Sequence, residues 1–118
     1  MVENKEFSVS HIRNTQDRFL DYIILPLGYK HNRDVQKARR GDILRFADDN
    51  VAWIDNVITA PLKSSLTDCL CRAVYGFSIA EVLGVWQRGF KAMGNDPKMV
   101  SESECLIVFF KEKEHERE

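Results

Sequence analysis

Arg39-Arg40-Gly41-Asp42-Ile43-Leu44-Arg45-Phe46, then Asp48-Asp49-Asn50, then Val51-Ala52-Trp53-Ile54: this stretch decides the fold. A Gly-Asp pair makes a turn, four largely apolar residues follow at strand length, and an acidic polar tip separates them from a second apolar run. The spacing predicts a hairpin with strands over about 42–47 and 51–60. In the second strand Val51, Trp53 and Val57 share one face and Ala52, Ile54 and Ile58 share the other. That pattern belongs to a strand covered on both sides, or to one with a bulge near Asp55. Trp53, mid-strand among apolar neighbours, is read as core.

Outward from the hairpin, Phe7–Ile12 has the length and partial alternation of a first strand. Asn14 or Thr15 is placed to cap a following helix. Phe19, Leu20, Ile23, Ile24 and Leu27 fall on adjoining helical rows, so a helix is expected there, ended near Leu25 by Pro26. Residues 28–40 are polar and read as irregular or as a short strand. Leu66–Tyr75 predicts a short helix stopped by Gly76.

Ser78-Ile79-Ala80-Glu81 is a capping box, with Phe77 and Val82 set to form a hydrophobic staple around it. Ile79, Val82, Leu83, Trp86 and Phe90 continue at helical spacing. Gly94-Asn95-Asp96-Pro97 makes a turn. Leu106–Phe110 is an unbroken apolar run, as expected of a central strand buried on both faces. From about residue 112 the tail is charged and is expected to fray.

With 118 residues, 44 % of them apolar and 30 % charged, the chain has the balance of one folded domain. Few strands with helices inserted between them predict an α+β protein, a small mixed barrel or curved sheet with helices packed outside it. No apolar run nears the roughly 18 residues of a membrane span, and Met1–Glu6 lacks the apolar segment of a signal peptide. Cys69, Cys71 and Cys105 are odd in number and lie among apolar neighbours, which fits reduced thiols and a cytoplasmic protein.

The formal net charge is −1, yet between Lys30 and Arg45 six Lys or Arg face two Asp. That local excess of +4 leaves about −5 for the rest of the chain. Clustered cations beside a strand edge suit phosphate groups, and an arginine can grip one with two hydrogen bonds. A solvated loop has the same composition. Tyr29 is equally placed to stack a base or to pack inward.

Lys30 is the one candidate reactive amine. His11, His31 and His115 have no metal-ligand spacing, and Cys69-x-Cys71 lacks a second pair, so no metal is expected. No glycine-rich phosphate loop, nucleophile elbow or paired-carboxylate motif is present, and no cofactor is expected.

The Arg39–Phe46 run, the strand from Val51 to Val57 and the closing strand Glu104–Phe109 resemble the ASCH domains of the PUA-like superfamily, over about residues 12–112. The resemblance implies a small β-barrel with helices outside it, and binding of RNA or a nucleotide-like ligand in a cleft beside the first helix. Of the family signature G-x-K-x-x-E-x-R, Gly28 and Lys30 match, while Arg33 stands in place of Glu and Val35 in place of Arg. The implied ligand-binding set is Gly28, Tyr29, Lys30, Arg33, Arg39 and Arg40. Some relatives hydrolyse amide-substituted nucleosides with a Lys, a nearby Thr and a Glu. Lys30 matches the first of these, but no Thr follows at the family's distance. The expectation is therefore a binding module, with a nucleoside-amide hydrolase using Lys30 or a protein-interaction domain as alternatives.

Overall fold

A computed structural model describes residues 4–13 and 19–112. The elements are β1 (Glu6–Ser8), β2 (Tyr22–Pro26), α1 (Lys30–Arg33) running into a 3-10 turn (Asp34–Lys37), β3 (Ile43–Arg45), β4 (Val51–Pro61), four helices α2 (Leu62–Ser65), α3 (Asp68–Val74), α4 (Ile79–Ala92) and α5 (Met99–Glu102), and β5 (Glu104–Glu112). The strands form one mixed sheet in the order β1-β3-β4-β5-β2. β1 runs parallel to β3, and every other pair is antiparallel. The α+β class expected from sequence holds. The sheet is not closed: its hydrogen-bonded order ends at β1 on one side and β2 on the other.

β5 is the centre. β4 and β2 pair with it from either side. Leu106, Val108 and Phe110 are buried on one face and Cys105 on the other, so the apolar run at 106–110 is the doubly covered strand that its composition suggests. Of the two alternatives the sequence left open for β4, the bulge is the one found: Ile54 pairs with Phe110 and Asn56 with Phe109, which leaves Asp55 over. The extra residue swings Val57 onto the face of Ala52 and Ile54, where it packs against the core. Trp53 stays on the opposite face and is half-buried rather than core.

The largest departure from expectation is at residues 19–27. No helix forms over the described part of this segment. Tyr22–Pro26 is a strand paired along its whole length with β5, and Ile23, Ile24 and Leu25 are buried on alternating faces. A run of consecutive apolar residues satisfies a helical stripe and a doubly covered strand alike, and the ladder to β5 decides between them. Phe19, placed on the helical stripe, is 93 % exposed. Pro26 ends an edge strand, a position that needs no N–H. The candidate caps Asn14 and Thr15 lie outside the described residues, as does the tail beyond 112.

β1 is shorter than expected, but two further bonds extend its line: the Val9 N–H donates to the Arg45 carbonyl (2.9 Å) and the Ala47 N–H to the His11 carbonyl (2.7 Å). α3, the capping box and the turn at Gly94 fall where the sequence puts them. Gly76 takes a left-handed φ of +79° beyond α3, a conformation that ends a helix at little steric cost. Arg13 is buried, with its guanidinium carbon 5.0 Å from the centre of the Phe110 ring.

The Gly41-Asp42 turn has a specific electrostatic anchor. Gly41 adopts φ +96°, and the buried Asp42 carboxylate accepts hydrogen bonds from the Lys5 N–H (3.0 Å) and the Arg39 N–H (2.8 Å). Burial opposes the charged form, but these backbone bonds, aided by the charges of Lys5 and Arg39, prevail and lower the pKa from its ordinary 3.8. A lowered carboxylate pKa stabilises the fold at neutral pH, and this contribution is lost as pH falls through the folded-state value, below 3.8. Asp42→Ala is expected to cost about 1–3 kcal/mol at pH 7 in urea unfolding. The gap between variant and wild type should shrink at strongly acid pH.

Candidate functional site

Two regions carry candidate chemistry, and both lean on α4. The first is the basic segment. After β2 the chain turns at Leu27-Gly28-Tyr29 and enters α1. The buried Asn32 donates through Nδ2 to the Pro26 carbonyl (2.8 Å), and its own N–H bonds the Tyr29 carbonyl (3.0 Å). Val35 is buried in the core, and Asp42 closes the far end through the Arg39 amide. The segment is thus pinned at three points, and the cations between them turn outward.

Arg33, Lys37, Arg39 and Arg40 are exposed. Arg33 reaches back through Nε to the Leu27 carbonyl (3.0 Å). Arg40 lies 3.4 Å from the Asp55 carboxylate and remains 80 % exposed, so the β4 bulge residue meets this segment. Arg45, the last cation of the run, is held by Glu6 through two hydrogen bonds (2.7 and 3.2 Å) and approached by Asp49 at 3.7 Å. Those bonds hold the Glu6 pKa down and the Arg45 pKa up. Arg45 therefore ties β1 to β3. The net excess seen in sequence narrows to the stretch before Gly41.

Gly28 and Tyr29 are packed against α4. A Cβ at Gly28 would stand 1.7 Å from Cζ of Phe90. The Tyr29 ring meets Phe90 edge-on at 5.3 Å, and its hydroxyl donates to the Trp86 carbonyl at 3.0 Å. A side chain at Gly89 would strike the Tyr29 hydroxyl at 2.2 Å. Two glycines, one on each element, let the turn and the helix approach. Lys30 opens α1 beside this contact.

The second region is a cavity of about 490 Å³ bounded by Ser10–Ile12, Val74–Phe77 and the α4 residues Val82, Val85 and Trp86. It opens where α3 and α4 meet at a bend of 75°. The Tyr75 hydroxyl donates to the Ile24 carbonyl, and its ring packs on His11 (4.8 Å) and edge-on to Trp86 (5.6 Å). Both His11 ring nitrogens are shielded from solvent and, among the described residues, have no hydrogen-bond partner. Burial pushes the His11 pKa down from 6.5 to about 4, so the imidazole is neutral at physiological pH. Phe77, expected to staple α4, is 54 % exposed at the rim of this cavity, with Val82 buried in its wall.

Nothing in the linear sequence marked this cavity: His11 had no partner in spacing, and its role arises from the packing of three distant segments. The cysteines are free thiols, Cys69 exposed and the other two buried. Burial raises the Cys71 pKa to about 11 and also raises that of Cys105, which makes both poor nucleophiles. Among the described residues no group of three or more His, Cys, Asp or Glu converges as a metal site, and no single helix is long and apolar enough to cross a membrane. Comparisons with protein-family models, curated proteins and solved structures find no match.

Two outcomes follow from this geometry. Gly28→Ala is expected to cost about 1–3 kcal/mol in thermal or chemical unfolding, because the added methyl would overlap the buried Phe90 ring. His11 has a folded pKa below its unfolded one, so its contribution to stability is full above about pH 6.5 and is lost as pH falls towards 4. Between pH 7 and pH 5 the wild type should lose about 2 kcal/mol that His11→Leu does not lose, measured by urea midpoints at both values.

Proposed function

We propose that this chain is a PUA-like binding module that holds single-stranded RNA or a nucleotide-like anion against Arg33, Lys37, Arg39 and Arg40. The observation that carries this reading is the exposure of those four cations on a short segment whose backbone is fixed by Asn32, Val35 and Asp42. A fixed backbone limits the ordering cost of binding, and outward arginines offer paired donors to phosphate oxygens. Tyr29 and Gly28 then serve as the anchor of the segment on α4 rather than as a stacking platform.

The PUA-like part of the proposal rests on the sequence resemblance over about residues 12–112. In that assignment β1 and β2 are the strands whose approach would complete a barrel, with α1 inserted between β2 and β3 and the remaining helices between β4 and β5. Three free cysteines accord with a reducing, cytoplasmic compartment.

Anisotropy of a labelled single-stranded RNA oligonucleotide, titrated at several salt concentrations, tests the proposal. Binding should weaken steeply with salt, because each neutralised phosphate releases counterions. Replacing Lys37 and Arg39 together by Ala should lower the slope of log K against log salt by about 1.4, two single-strand phosphate contacts. No binding at low salt, or binding unchanged in the double variant, would overturn the assignment.

A further inference from the structure

We propose that Trp53 is the stacking platform for a base of the single strand whose phosphates the basic segment holds. The inference rests on the reading of Arg33, Lys37, Arg39 and Arg40 as phosphate contacts, and it makes the ligand a nucleic-acid strand rather than a bare anion.

The sheet register sets Trp53 among cations. It pairs with Ile43 on one side and Lys111 on the other, and directly opposed residues share a face with Cβ atoms about 4.5–5.5 Å apart. That face is the reverse of the one buried through Leu44, Ala52, Ile54 and Phe110. Lys111 is exposed on it, and Trp53 and Ile43 are half-buried. On the β3 side, the Gly41 N–H donates to the Ile54 carbonyl (2.8 Å) and the Ile54 N–H to the Asp42 carbonyl (2.8 Å). The end of the basic segment is therefore stitched to the residue next to Trp53. Arg40 meets β4 one residue further on, its Nε 3.4 Å from the Asp55 carboxylate.

The chemistry of this placement selects a base. An indole half-buried in a strand is already held in position, so little ordering is lost when a flat ring lies on it. Base–aromatic stacking accepts any base, because every base has a π-face. Tyr29, the aromatic nearest the cations in sequence, is packed on Phe90 with its hydroxyl on the Trp86 carbonyl, which leaves the stacking role to Trp53. Arg40 on the β3 side and Lys111 on the β5 side flank the indole, as the two phosphates beside a stacked nucleotide require.

The test uses the full chain with a short labelled RNA and with an abasic strand of the same length. Trp53→Leu should weaken RNA binding about five- to a hundredfold, the effect of one stacked base. The slope of log K against log salt should stay unchanged, since no phosphate contact is lost. Trp53→Phe, which keeps a ring, should remain within about threefold of wild type. On the abasic strand, wild type and Trp53→Leu should bind alike. In Trp86→Phe, where Trp53 is the one remaining tryptophan, RNA should quench indole emission saturably and the abasic strand should not. That measurement needs no change at Trp53. Equal RNA binding by Trp53→Leu, a loss that the abasic strand shares, a Trp53→Phe variant as weak as Trp53→Leu, or emission that RNA leaves unchanged would each overturn the platform. In each of those cases a salt slope lowered by replacing Lys37 and Arg39 leaves the phosphate reading standing, whereas no RNA binding by the wild type overturns both.

Discussion

Everything in this fold is arranged around the need to cover β5 on both sides. A nine-residue strand whose core reads Leu-Ile-Val-Phe-Phe cannot show either face to water, so it must sit between two partner strands and beneath cover above and below. β2 and β4 supply the hydrogen bonds, and their own apolar residues extend the two buried faces. The bulge at Asp55 follows from the same demand: it turns Val57 towards the core opposite Val108. The chain between β4 and β5 then has to return to an antiparallel register, and it spends that return on the four helices that include α4.

α4 links the two candidate regions. Its C-terminal half receives Tyr29 through Gly89 and Phe90, and its N-terminal half walls the cavity through Val82, Val85 and Trp86. Trp86 belongs to both: its carbonyl takes the Tyr29 hydroxyl while its ring faces Tyr75. A shift of α4 along its axis would therefore disturb the anchor of the basic segment and the shape of the cavity together. Coupling of that kind needs only one rigid element shared by two sites.

Much of the architecture was legible because local rules and tertiary needs agreed. The hairpin from Ile43 to Ile54, the bulge, the capping box at Ser78 and the central strand each carry a signature in a few consecutive residues. The segment from Phe19 to Leu27 misled because its apolar run fits two periodicities, and only the distant β5 settles which applies. The candidate sites divide along the same line. Charge clustering is visible in a string of letters, so the basic segment stood out, although the capture of Arg45 by Glu6 required the parallel pairing of β1 with β3. The cavity was invisible because Ser10–Ile12, Val74–Phe77 and α4 meet only in three dimensions. Gly28 was noticed for its place in a signature, while its physical necessity lies in Phe90, more than sixty positions away.

An open sheet presents two rims where another extended chain could add. Here both rims are blunt. β1 offers three residues, with Glu6 exposed and salt-bridged at its start, and β2 runs out at a proline that has no N–H to donate. Short, charged or proline-ended rims are poor templates for strand addition. The strand most prone to self-association, β5, is not a rim strand: β4 and β2 occupy its two hydrogen-bonding sides, so the sheet shields its stickiest segment from other chains simply by the order in which its strands are laid.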